Sequence, residues 1–206
     1  MNAILGTILA QALTLATPTN LPATWFSDSD YPKGPQQRRE DGTVTFALFV
    51  SAQGKIDKCS VVQSSGVPEL DTQACTIMVA RPRLRPARDE TGAPVQGLYV
   101  GRMTWILPGG QSGSRRSYPA WPADINVDVM KLPGGIKEET VSIAVKIDPA
   151  GHILICEPPQ KSQSSVKLVE VACAQAKAAY DTVPMDAAGM PVTMVRSLRV
   201  TFRASQ

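Results

Sequence analysis

The sequence predicts an α+β protein of two tandem units. Each is a three-stranded antiparallel sheet with a helix packed on one face, in the chain order β-β-α-β. Three observations predict it. Residues 43–50 and 140–147 alternate apolar and small or polar side chains with a period of two, as half-buried strands do. A helical stripe follows each strand pair, Leu70, Ala74, Ile77 and Met78 in the first unit and Leu168, Ala172, Ala176 and Ala179 in the second. The chain also repeats itself at a fixed offset.

The repeat can be checked by subtraction. Thr43, Val44, Ala47, Gly54, Ile56 and Cys59 recur 97 residues later as Thr140, Val141, Ala144, Gly151, Ile153 and Cys156. Leu70, Ala74 and Cys75 recur at 98 as Leu168, Ala172 and Cys173, and Gly92, Pro94, Val95, Arg102 and Thr104 return to 97 as Gly189, Pro191, Val192, Arg199 and Thr201. A period of this size implies two domains and not a solenoid. The expected division is 17–107 and 118–206, joined by a flexible linker over 108–117, whose PGGQSGSRRS composition is rich in Gly and Ser.

Taken in order, residues 1–16 form an apolar run of signal-peptide length, short of the roughly 20 residues a spanning helix needs. Thr14 and Ala16 offer a small-residue cleavage site, so the chain is expected to be exported. An uncleaved membrane anchor or a buried N-terminal helix is the alternative. Residues 17–41 make a polar lead-in with Trp25, Phe26, Tyr31 and Pro32 as anchors. Strand one carries Val44, Phe46, Leu48 and Val50 on one face, and its counterpart carries Val141, Ile143, Val145 and Ile147. Tight turns follow, ending at Gly54 and Gly151, where glycine suits a positive φ. Strand two then spans about Lys55 to Gln63, and His152 to Glu157. Pro68 fits a first helical turn, with Glu69 and Asp71 at the positive end of the helix. Strand three spans roughly Leu98 to Leu107 and, in the second unit, brings Leu198, Val200 and Phe202 inward.

Composition narrows the function. The 206 residues carry a net charge of +3 and 5% aromatics, too little of either for a nucleic-acid surface. The single histidine, His152, follows a turn and is read as exposed, so no acid–base or nucleophile set can be assembled and no enzyme is expected. No cofactor or metal is expected either. A zinc site of all four cysteines would have to bridge the two units, without CxxC spacing. Four cysteines allow three disulfide pairings, and the repeat selects Cys59–Cys75 and Cys156–Cys173. The basic run Arg81, Arg83, Arg85 and Arg88 is read as a solvated loop before an acid-binding patch.

The first unit resembles the C-terminal domain of the TonB family of periplasmic energy transducers. The resemblance rests on Tyr31-Pro32, the Gly42-Thr43-Val44 strand start, Gly54, Ser64-Ser65-Gly66 and Leu70-Asp71. It continues through Ala74, Arg85-Pro86-Ala87, Gly92, Pro94-Val95 and the Trp105 strand. The second unit keeps the frame and loses Ser-Ser-Gly and Arg-Pro-Ala, as a diverged copy would. The resemblance implies TonB-dependent transmembrane transport, in which a peptide of an outer-membrane receptor adds as a strand beside strand three. The partner-binding residues it implies are Leu98, Tyr99, Val100, Arg102 and Thr104, with Tyr31 and Pro32. The alternative is a structural or regulatory envelope protein that self-associates, as a homodimer for example, without energy transduction.

Overall fold

The computed structural model describes residues 12–109, 119–160 and 164–205. The leader residues 1–11 and most of the expected linker lie outside them. The first half runs β1 (Thr17–Pro18), α1 (Lys33–Arg38), β2 (Gly42–Val50), β3 (Ile56–Gln63), α2 (Pro68–Ala80), β4 (Leu84–Arg85), β5 (Ala87–Arg88) and β6 (Pro94–Trp105). The second runs β7 (Ile125–Val129), β8 (Glu138–Ile147), β9 (Ile153–Glu157), α3 (Val166–Ala179) and β10 (Met194–Ala204). The β-β-α-β order therefore occurs in both halves. Helix α2 starts at Pro68, which needs no N–H at its first turn. It stops before Pro82, which cannot continue it.

Local detail recurs at the same offset. Gly54 and Gly151 sit at φ 78° and 92°, and Gly92 and Gly189 both at 81°. Thr43 and Thr104 share a hydroxyl hydrogen bond of 3.0 Å across β2 and β6, and Thr140 and Thr201 one of 2.9 Å across β8 and β10. The disulfides fall where the repeat places them. Cys59 bonds Cys75 with a Cα separation of 5.4 Å, and Cys156 bonds Cys173 at 5.7 Å. Each ties the second strand of its half to the helix packed over it.

The sheets expected to be separate are joined edge to edge. The strand order is β3-β2-β6-β10-β8-β9, with β5 and β7 attached to β6 and β10. All neighbours on this path are antiparallel except β6 and β10, which pair in parallel over Gln96–Leu98 and Met194–Arg196. The seam fixes how the helices are arranged. Paired residues point to the same face of a sheet, so Val50, Gly97 and Val195 share one face. Val50 and Val195 belong to the core under α2, with Leu70, Ala74 and Met78. The next residues over, Met194 and Ile147, share the opposite face, and Ile147 belongs to the core under α3, with Ala172 and Ala176. Helices α2 and α3 therefore cover opposite faces of one continuous sheet.

The face of the second half that α3 leaves bare is covered by the first half. Ala144 and Val195 are fully buried in the first core. Lys146 reaches the turn before β6, 2.8 Å from Glu90 and 3.5 Å from Asp89. The N-terminal segment lies across the same face. Leu13 and Ala16 are buried in the core, the Leu13 N–H donates to the Glu157 carboxylate, and Thr14 exchanges two main-chain hydrogen bonds with Arg88. Residues 12–16, expected to leave with a signal peptide, thus serve as part of the fold.

Candidate functional site

The site expected from sequence centres on β6. Its inner neighbour is β2, in register from Gly42↔Trp105 to Val50↔Gly97. On its outer side β10 takes up Gln96 to Leu98 and then departs. Beyond that point β10 pairs with β7 instead, from Val200↔Ile125 to Ala204↔Val129. The strands thus fork after Leu98. Among the described residues no strand pairs with the outer side of Tyr99 to Trp105.

Trp121 packs at this fork. The Arg102 guanidinium lies 4.2 Å from its ring centre and that of Arg199 lies 5.5 Å away. Asp124 anchors the segment that carries it, accepting from Arg196 Nη2 at 2.6 Å and from the Arg199 main-chain N–H at 2.8 Å. Burial holds the Arg199 guanidinium below the usual arginine range, and the nearby Arg102 charge adds to the effect against the pull of Asp124. Burial likewise raises the Tyr99 hydroxyl. A cavity of about 640 Å³ opens at the fork, lined from both faces of the sheet by Phe49, Val62, Leu98, Val100, Tyr99 and Arg199 among others.

The expected binding residues divide into two groups. Leu98 is engaged by Arg196, whereas Tyr99, Val100, Arg102 and Thr104 continue along the fork. Tyr31 does not join them. It is buried, edge-on to Trp105 at 5.3 Å between ring centres, and its hydroxyl donates to the Glu40 carbonyl. Pro32 caps α1 and faces a shallow hollow with Pro68 and Thr72. The pair therefore organises the core side of the sheet, opposite the face on which Val100 and Arg102 lie.

The basic run is used largely within the fold. Arg81 forms two hydrogen bonds to Asp30, at 2.7 and 2.6 Å, and one to the Trp25 carbonyl. This contact lowers the Asp30 carboxyl to about 2. Arg83 donates to the carbonyls of Ala80 and Pro82, and Arg88 to that of Gly92. His152 is exposed in its turn, its Nδ1 3.2 Å from the Asp148 carboxylate.

Residues 27–107 match the family described as Gram-negative bacterial TonB protein C-terminal. This segment is a TonB C-terminal-like domain. The matched residues span β2, β3, α2 and β6 together with the Tyr31-Pro32 lead-in, the stretch on which the sequence resemblance rests. The second half shares the element order of this TonB-like domain and lies outside the matched residues. No curated protein and no solved structure matches the chain. No described helix is long and apolar enough to cross a membrane.

Sequence reasoning did not identify Trp121, Asp124 or the N-terminal segment as neighbours of the TonB-like strand. For Arg199 a signal existed, because it stands at the repeat offset from Arg102.

Proposed function

We propose that this chain is a non-enzymatic, TonB-like protein-binding module of the periplasm. It takes an extended segment of an outer-membrane receptor, or of another envelope protein, by strand addition to β6 in TonB-dependent transport. The observation that carries this reading is the fork. Three residue pairs tie β6 to β10, and the following stretch, Tyr99 to Trp105, has no strand partner on its outer side among the described residues. Unpaired N–H and C=O groups along an edge are what an incoming strand needs.

Hydrogen exchange tests this without altering the protein. A saturating peptide from the periplasm-facing N-terminus of an outer-membrane receptor should slow exchange of amides within residues 99–105. It should leave the amides of β9 unchanged. If peptide binds and the exchange of this strand is unaltered, strand addition here is wrong. Val100→Pro removes one main-chain donor and should weaken the peptide at least tenfold where that N–H points outward.

Self-association is the second reading, supported by the exposed Val61 and Val62 on β3 and Leu154 on β9, the two outermost strands. Sedimentation of the purified protein distinguishes it, since a stable dimer would place those edges at the interface.

A further inference from the structure

The fork holds guanidinium nitrogens that find no hydrogen-bond partner among the described residues. Nε and Nη2 of Arg102 and Nε of Arg199 are shielded from solvent and have no hydrogen-bond partner among the described residues. Unmet buried donors are rare, and charged ones especially so. Every aspartate and glutamate of the chain lies among the described residues. Asp124, the acid nearest Arg199, already accepts from Arg196 and from the Arg199 main chain. Both guanidiniums therefore stack on Trp121, and neither donates a side-chain hydrogen bond to an acid among the described residues.

The space beside them has a different character. The walls formed by Phe49, Val62, Leu98 and Val100 are hydrocarbon, in a cavity of about 640 Å³. That is the size of a small-molecule site, predominantly apolar with a few convergent polar groups. Beyond the β6 edge itself these walls offer no partner for peptide groups, so hydrocarbon suits them better than main chain. A guanidinium fork matches a carboxylate in shape and charge.

We infer that the cavity at the fork binds a small amphipathic carboxylate, its head on Arg199 and its aliphatic chain along Phe49, Val62 and Val100. The inference goes beyond strand addition and does not depend on it. The ligand would share Tyr99 and Val100 with an added strand, so the two would compete where both bind.

Calorimetry with octanoate, decanoate and decanol on the full chain tests this, with Trp121 fluorescence as a second readout. Decanoate should bind at least tenfold tighter than decanol. Each added methylene from octanoate to decanoate should tighten binding by about fourfold. Arg199→Gln should lose about tenfold to a hundredfold of the decanoate affinity, and Arg102→Gln less, with the melting temperature kept or raised as an unpaired buried charge is removed. Should either variant fail to fold, the comparison of decanoate with decanol on the unaltered protein decides. Equal affinity for acid and alcohol, no dependence on chain length, or no binding below about 1 mM would each overturn the inference. A failed hydrogen-exchange test with receptor peptide would leave these results untouched, so the two readings fail separately.

Discussion

Leu13 offers the most direct check on where the folded unit begins. Its side chain is only 2% exposed and sits in the core shared by α2, Val195 and Ala144. Replacing it with alanine leaves the cost of ordering the segment nearly unchanged and removes buried hydrocarbon, for which losses run at about 2–5 kcal/mol. The middle of that range, about 3 kcal/mol, is a large part of the roughly 5–15 kcal/mol that holds a typical domain together. With a denaturant slope of roughly 2 kcal/mol/M in urea, the unfolding midpoint should fall by about 1.5 M. The assay compares a chain starting at Ala12, its Leu13→Ala variant and a chain starting at Thr17. The last should be at least as unstable as the variant, because it also loses Ala16 and both hydrogen bonds between Thr14 and Arg88. Midpoints agreeing within about 0.3 M across all three would refute the placement of residues 13–16 in the core. The result bears on export, since a cut after Ala16 would remove these residues, whereas a cut before Ala12 would spare them.

Further outcomes follow from the same structure. Thiol titration of the unfolded, unreduced protein should find no free thiol, and removing either disulfide should cost about 3 kcal/mol, the chain-entropy value for loops with separations of 16 and 17 residues. Trp105→Phe should destabilise by roughly 2–3 kcal/mol in thermal or urea unfolding, because it leaves the buried Leu70 carbonyl without the indole N–H now 3.2 Å away and opens space beside Tyr31. Asp30 is depressed from 3.8 to about 2 by Arg81, so its contribution is complete above the unfolded value and fades as pH falls from about 4 to 2. Asp30→Asn should flatten the acid limb of the stability profile in that window without abolishing it.

The parts of the fold legible in the sequence are those with a periodic signal. Val44, Phe46, Leu48 and Val50 alternate, and all four are buried. Leu198, Val200 and Phe202 behave likewise. The disulfide partners were legible because two cysteines per unit recur in order. The seam was not, because parallel pairing of Gln96–Leu98 with Met194–Arg196 leaves no pattern in either segment. Residues 12–16 admit two readings for a compositional reason, since a short apolar stretch reads alike as the end of a leader or as a segment packed on a core. At the site, the positions of Tyr99, Val100 and Arg102 along one strand were readable. The role of Trp121 was not, because it comes from a connecting segment whose placement depends on Asp124 meeting Arg196 and Arg199. Strand β7 is a five-residue INVDV whose alternation is too brief to separate from a loop.

The inversion of the two halves across the sheet limits how the molecule can meet its surroundings. Rotating one half onto the other turns the sheet over, so any surface feature the halves have in common is presented once on each side. A planar object such as a bilayer can touch only one of the two at a time. Two identical ligands recognising that feature would be carried back to back, too far around the molecule to clash and unable to reinforce one another from a single plane. Divergence of one surface is then free of the other. Such a sheet can keep one side for recognition and give over the opposite side to holding itself together.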